Sequence, residues 1–326
     1  MIEYEANLVC KKMNEAGRKR VPFLFGVDFE MTKGFFFESP MEQNSVLFSL
    51  EGHSNHSEAE QNSSVLPLLI KKPQSYENYF SKFQIVHSAL KKGNSFLLNL
   101  TEKTAIECNL TLEDIYLRSH ALYKILVPDK FVCFSPETFV KILSSGEILS
   151  YPMKGTIDAS LPDAEEQLLN DYKETCEHNT IVDLIRNDLS IVADHVRVRK
   201  FRYVDVLETN EKKLLQTSSE ICGMLSGNYH ERLGSIIFDM LPAGSISGAP
   251  KRSTVNTIRK AEKINRGYYT GVFGYYDGET LDSAVMIRYI EKENGNYYFR
   301  SGGGITVNSN PEEEYQEVLD KIYLPL

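Results

Sequence analysis

Two stretches of this 326-residue chain carry glutamates three residues apart, Glu174 with Glu177 and Glu314 with Glu317. Positions i and i+3 share one face of a helix, about one turn apart. A fold that turns those two faces toward one space gathers four carboxylates, which is tolerable only around a cation. Hard oxygen donors with no nearby His or Cys ligand pattern select Mg²⁺, which binds through a few carboxylates plus substrate and water. The pattern therefore points to an enzyme that handles an anionic small molecule through a magnesium bridge. Taken alone, an E-x-x-E is more often a solvated helix face. Two details weigh against that: Leu168, Leu169, Tyr172, Ile181 and Val182 surround the first pair, and Gly302-Gly303-Gly304 lies ten residues ahead of the second.

Composition removes other partner classes. A formal charge of −9 disfavours a nucleic-acid backbone as partner, since that ligand selects basic patches. Hydrophobic residues at 42% and charged residues at 25% describe an ordinary soluble globular chain. Cys10, Cys108, Cys133, Cys176 and Cys222 are scattered with no C-x-x-C, as reduced cytoplasmic thiols are. With no basic-then-apolar leader and no 18-residue apolar run, we expect a cytoplasmic protein without a membrane partner.

Along the chain, short apolar runs over 21–50 predict strands of a meander, and the polar run 51–64 predicts a mobile surface loop. Tyr76, Tyr79, Phe80, Phe83, Val86 and Leu90 predict a helix over 75–92 that Gly93 ends, followed by a buried strand in SFLLNLT. A helix is predicted over 112–126, strands in FVCF and TFVKIL, and one long helix over 163–189. Further elements are a helix after Pro250 and strands over 269–276, 281–291 and 297–300. Asn310 as N-cap with Pro311 behind it opens a last helix, whose acidic first turn suits the helix dipole. No Pro- or Gly-rich linker divides the chain, so a single domain over 1–326 is the simpler expectation.

Three more features carry chemistry. Lys154 lies between Pro152 and Gly155, which predict an ordered turn; once neutral, its amine is a nucleophile, although a surface lysine is the commoner fate. The segment 243–251, AGSISGAPK, has the small residues of an anion cradle, and Gly302 to Gly304 reads as a second one. Arg288, in the predicted strand SAVMIRYI, needs an anionic partner, with a substrate carboxylate and a structural salt bridge equally open.

Taken together and in this order, the motifs resemble the chorismate-utilising enzymes: anthranilate, aminodeoxychorismate, isochorismate and salicylate synthases. The segments concerned are Ser135-Pro136-Glu137, PMKGT at 152–156, ETCEHNTIVDLIRND at 174–188, LPAGSISGAPK at 241–251, RGYYTG at 266–271, Ile287-Arg288, and SGGGIT at 301–306 through Asp320-Lys321. The resemblance covers residue 75 to the C-terminus, with 1–74 a shortened N-terminal part. It implies an α+β domain of two face-packed antiparallel sheets with outer helices. It also implies roles. Glu177 and Glu317 would hold Mg²⁺, with Glu174 and Glu314 beside them or acting through water. Arg288, Tyr269 and the backbone of Gly302, Gly303 and Gly304 would hold the enolpyruvyl carboxylate. Thr156, Ser245 and Lys251 would line the pocket, and Glu137 would protonate the departing C4 hydroxyl.

Within the family, a lysine where Lys154 stands is typical of aminodeoxychorismate synthases, while the other branches usually have alanine. Its amine would attack C2 of chorismate as the C4 hydroxyl leaves, and ammonia would then add at C4 and expel the lysine. Isochorismate and salicylate synthases use a lysine in the strand corresponding to 95–101, which has none here. Gln216 stands where many members have a histidine tied to pyruvate loss. No G-x-C-x-G nucleophile motif surrounds any cysteine, so a separate glutamine amidotransferase subunit would supply ammonia, on a route to p-aminobenzoate and folate. The rival expectations are anthranilate synthase component I and a non-catalytic scaffold that binds chorismate. The short N-terminal part implies no tryptophan feedback.

Overall fold

The strand Phe23–Val27 shows how the sheets acquire two apolar faces. Phe23, Phe25 and Val27 point toward the helix Ala6–Arg18, where Val9, Met13 and Ala16 meet them, while Leu24 joins Phe35 in the space between the sheets. Alternation of side chains along a strand does this, and each fully buried Phe or Leu contributes about 1.5–3 kcal/mol. The computed structural model of the protein describes residues 1–56, 66–208 and 213–326. Its architecture is α+β: a ten-stranded and a nine-stranded sheet, all pairings antiparallel, packed face to face with helices outside.

The first sheet runs in the order Tyr4–Glu5, Lys33–Glu38, Phe23–Val27, Val272–Tyr276, Leu281–Val285, Thr138–Ile142, Glu147–Ser150, Lys213–Met224, Met153–Asp158, and Asp194–Glu208 also pairs with Lys213–Met224. The second runs Gly248–Ala249, Leu97–Cys108, Asn296–Ile305, Tyr289–Glu293, Phe131–Ser135, Tyr123–Val127, Leu47–Leu50, His53–Ser54, with Leu69–Lys72 beside Leu97–Cys108. Aromatic contacts tie the sheets together: Phe48 of the second lies 5.5 Å, ring to ring, from Tyr275 of the first.

Local sequence reading and fold part in several places. The helix Ala6–Arg18 was not anticipated. The expected meander over 21–50 is divided, its first two strands in one sheet and Leu47–Leu50 in the other. The helix expected over 112–126 ends at Arg118, because Ser119 turns extended and the fully buried Tyr123–Val127 pairs as a strand. The long helix expected over 163–189 is two, Ala164–Asn170 and Tyr172–Ser190. Asp171 leaves helical geometry between them and caps the second by accepting from Glu174 N at 2.8 Å. Tyr269 and Thr270 form a turn before Val272–Tyr276, and the strand expected over 281–291 breaks at 286–288. From residue 57 on, the expected polar loop lies outside the described residues.

Other expectations hold. The helices Tyr76–Lys91 and Lys251–Glu262 are present, and Pro311–Asp320 opens on Asn310, whose side chain accepts from Glu312 N and Glu313 N. Among the described residues no helix is long and apolar enough to cross a membrane.

Candidate active site

A cavity of about 700 Å³ is walled by the strands Met153–Asp158 and Asn296–Ile305, the helices Tyr172–Ser190 and Pro311–Asp320, and the segment around Ser245. It brings together Glu137, Lys154, Thr156, Glu174, Glu177, Ser245, Tyr269, Arg288, Gly302, Gly303, Gly304, Glu314 and Glu317, residues spread over 181 positions of sequence (317 less 137, inclusive). Lys251 is the exception among the expected residues. Its ammonium binds Asp188 at 2.8 Å and the Met240 carbonyl at 2.6 Å, so it braces the segment behind Ser245 and does not line the cavity.

Lys154 sits in a strand, not in the expected turn. It pairs with Thr217 and Thr156 with Gln216, so Gly155 between them bulges out of the ladder. The bulge requires glycine: φ is +77°, and a β-carbon there would meet Leu168 at 3.1 Å and Glu174 Oε2 at 3.3 Å. The Thr217 hydroxyl donates to the Lys154 carbonyl and fixes the backbone. The ammonium then reaches Glu177 Oε2 at 2.5 Å. Burial disfavours the charge on Lys154, but Glu177, and behind it Glu174 and Glu317, outweigh burial and raise its pKa. Burial alone therefore does not neutralise this amine.

The four glutamates converge on one cavity from two helices, as the spacing suggests. Glu177 and Glu314 are buried, and Glu174 and Glu317 are half-buried. Tyr172, expected to shield the first pair, is exposed instead. Burial raises Glu174 and Glu314, and in each case the neighbouring glutamate adds to the effect. Burial also acts against the Glu317 carboxylate, but Lys321 at 2.5 Å outweighs it and leaves that pKa lowered. Glu174 Oε2 and Glu314 Oε2 are buried without a hydrogen-bond partner. Gly303 leaves the space beside the second pair open, since a β-carbon there would lie 3.3 Å from both Glu314 Oε2 and Glu317 Oε1. Among the described residues no three such side chains stand close enough together to cage a metal ion. Lys154 and Lys321 hold Glu177 and Glu317, each in its own ion pair.

In the same cavity Glu137 accepts a hydrogen bond from the Ser245 hydroxyl. Burial pushes the Glu137 carboxyl up, more than Ser245, Lys321, Arg288 and Lys154 pull it down. A carboxyl so placed is suited to hold and deliver a proton. Arg288 stands in the break between two strands with φ +52°, its Nε donating to the Tyr323 hydroxyl at 3.2 Å. Among the described residues it forms no ion pair with a carboxylate, although its charge is felt at Glu137. Burial pushes the Tyr269 hydroxyl up to about 12, so it is a neutral donor.

Gly302, Gly303 and Gly304 do not form a loop cradle. They continue the strand Asn296–Ile305, opposite Thr101, Leu100 and Asn99, and of the three it is Gly303 that has no side chain where the helix carboxylates approach. Asn99 and Arg300 were not singled out from the sequence, and Ser301 and Lys321 appeared there only within matching segments without a role; all four are on the cavity wall. Asn99 Oδ1, Arg300 Nη1 and Ser301 Oγ are buried and unpartnered. Leaving such a group unsatisfied costs about 1–3 kcal/mol, so three of them among the lining residues mark binding capacity. Only the pairing of two strands distant in sequence reveals them.

Comparison with known proteins shows the family. Residues 27–326 match the family described as chorismate binding enzyme. A Haemophilus influenzae relative named "Uncharacterized PabA-like protein" is 51% identical, covering 97% of this chain and 96% of its own length. A Schizosaccharomyces pombe protein named "Putative aminodeoxychorismate synthase" is 31% identical over 86% of this chain, which spans 39% of that larger protein. The crystal structure of anthranilate synthase component I from Streptococcus pneumoniae superposes with a TM-score of 0.66 at 27% identity, covering 81% of this chain and 61% of that one. The sheets, the cavity and these relatives lead to one conclusion: the chain belongs to the chorismate binding enzyme family.

Proposed function

We propose that the protein aminates chorismate at C4 to give 4-amino-4-deoxychorismate, acting as the synthase component of an aminodeoxychorismate synthase. The observation that carries this reading is Lys154, an amine on the cavity wall 2.5 Å from Glu177 and sharing that cavity with Glu137, whose carboxyl burial pushes up. Arg288 and the Tyr269 hydroxyl suit the enolpyruvyl carboxylate, and Thr156 and Ser245 lie along the same walls.

The chemistry divides into two displacements. The Lys154 nitrogen bonds to C2, the ring double bonds shift, and the C4–O bond breaks as the Glu137 proton leaves with the oxygen as water. Ammonia then bonds to C4, the double bonds shift back, and the C2–N bond to Lys154 breaks. Ser245 donates to one Glu137 oxygen, which leaves the other to carry the proton. Without a lysine nucleophile, ammonia adds at C2, as anthranilate chemistry requires.

The donor set fits Mg²⁺: hard carboxylate oxygens, two of them buried and unpartnered, beside a glycine that leaves room. Glu177 and Glu317 would hold it, with Glu174 and Glu314 adjacent. When bound, the ion supplies the positive charge that grips the ring carboxylate and that Glu177 now takes from Lys154. Glu177 must release Lys154 before the amine can lose its proton and attack. Ammonia would come from a separate glutamine amidotransferase subunit, with free ammonium as a substitute in vitro, and the product would lead to p-aminobenzoate and folate in the cytoplasm.

Incubation with chorismate, Mg²⁺ and ammonium tests the reading. The expected product is 4-amino-4-deoxychorismate with no pyruvate released. Fluorescent anthranilate with equimolar pyruvate would overturn it in favour of anthranilate synthase, and no product even with a glutaminase present would leave only a binding scaffold.

A further inference from the structure

A second cavity, of about 540 Å³, shares a single lining residue with the first, Arg300. Its apolar side is aromatic: Phe131 lies 5.2 Å from Tyr268 and 4.9 Å from Tyr289, ring to ring. Its polar side is cationic, with Lys33, Lys103, Lys130, Lys292, Arg266 and Arg300. Five carboxylates answer these six cations. Arg266 is taken up by Glu262 and Lys292 by Asp129, while Lys103 binds Glu291 and Glu293. Two carboxylates must serve twice. Glu3 lies 3.5 Å from Lys33 and 3.3 Å from Lys130, and Glu291 serves Arg300 as well as Lys103. Glu30 approaches from the backbone side, accepting from the N–H groups of Arg266 and Gly267, so the cations and carboxylates balance in number and it is the sharing that leaves lysine donors unused.

Arg300 adds an unused donor. The residue is only 4% exposed; Nε donates to Glu291 at 3.0 Å and Nη2 to the Asn265 carbonyl at 3.2 Å, while Nη1 has no partner. A buried guanidinium with an unused donor is a strong recognition element for a carboxylate or phosphate. The loosely shared lysines supply the rest, because the long contacts to Glu3 leave their remaining N–H groups available. A cavity of this size accepts a small organic molecule, not a lone ion.

We propose that this second cavity binds a small organic oxyanion, a carboxylate or a phosphate ester, received by Lys33, Lys130 and Arg300 over the aromatic floor, and that its occupancy alters chorismate binding through Arg300. Arg300 is followed directly in its strand by Ser301 and Gly302 to Gly304 of the substrate cavity. A ligand that engages Arg300 acts on the one residue that lines both cavities. The resulting coupling is reciprocal, so chorismate must change the affinity of the oxyanion by the same factor.

The test is calorimetric titration of the whole chain with benzoate and with inorganic phosphate, with and without saturating chorismate and without turnover. We expect saturable one-to-one binding of at least one probe, retained with chorismate present, and a change of at least twofold in chorismate affinity. Benzoate assigns the site to carboxylates and phosphate to phosphate esters. Lys33→Ala with Lys130→Ala, both half-exposed side chains, weakens the probe at least tenfold. Glu3→Gln frees both lysines and tightens it at least threefold. Lys71→Ala with Lys72→Ala removes the same charge elsewhere and leaves it unchanged. The proposal fails if neither probe saturates, if chorismate displaces the probe competitively, if the control pair weakens binding equally, or if Glu3→Gln does not tighten it. Unaltered chorismate affinity refutes the coupling.

Discussion

Replacing Lys154 by methionine keeps the aliphatic stem and removes the charge, so its effect on folding isolates the ion pair. Glu177 has a side chain only 9% exposed and Lys154 one that is 30% exposed. Breaking a buried pair costs about 3–5 kcal/mol and an exposed pair about 0–1, which places this intermediate case at about 2–3 kcal/mol. The variant keeps Glu174, Glu177, Glu314 and Glu317 but loses the cation that faces three of them. At neutral pH in a chelator we expect a melting temperature about 5 °C below wild type. Millimolar Mg²⁺ should then raise the variant by more than it raises wild type, because wild type must first give up the Lys154–Glu177 pair. Thermal unfolding followed by circular dichroism, in chelator and across a magnesium titration, reads both effects. A variant as stable as wild type in chelator, or an equal response to Mg²⁺, would refute the reasoning that the ammonium and the metal compete for one carboxylate.

Ser245→Ala removes a hydrogen bond that favours the Glu137 carboxylate and lowers its pKa, so the carboxyl rises further. Since a general acid works protonated, the basic limb of the kcat profile should move to higher pH; a limb that stays or falls argues against Glu137 as the acid. Gly303→Ala places a methyl 3.3 Å from both Glu314 Oε2 and Glu317 Oε1, the mobile ends of side chains. It should leave the melting temperature near wild type but weaken apparent magnesium affinity roughly tenfold or more in activity titrations, and an unchanged titration counts against the second pair as metal ligands. Arg288→Ala should raise the chorismate dissociation constant about tenfold to a hundredfold, the worth of a charge-assisted contact; binding within twofold of wild type would free Arg288 from that role.

The sequence made some of this site legible because the relevant physics is local. Glutamates at i and i+3 must share a helix face, and Asn310 before Pro311 must open a helix, so both pairs of carboxylates could be placed without coordinates. Gly302 to Gly304 misled because glycine usually marks a turn, whereas here pairing with Leu100 and its neighbours keeps the run extended. Lys154 misled for the same reason: Pro152 and Gly155 suggested a turn, but partners more than 60 residues away made it a strand with a bulge. Arg288 owes its availability to a positive φ at a strand break, which the apolar run SAVMI hides. Asn99, Arg300 and Ser301 owe theirs to strand pairing across the sheet. Lys251 carried a correct motif but a different local duty, set by Asp188 at the end of another helix.

Intact-protein mass spectrometry after mixing with chorismate and Mg²⁺, in the absence of ammonia, tests the central claim most directly. The account predicts a mass increase of one chorismate less one water, mapped by proteolysis to Lys154, absent from Lys154→Met, and lost on adding ammonium as the aminated product appears. Aminated product formed at the wild-type rate by Lys154→Met, or an adduct mapped to another residue, would contradict it.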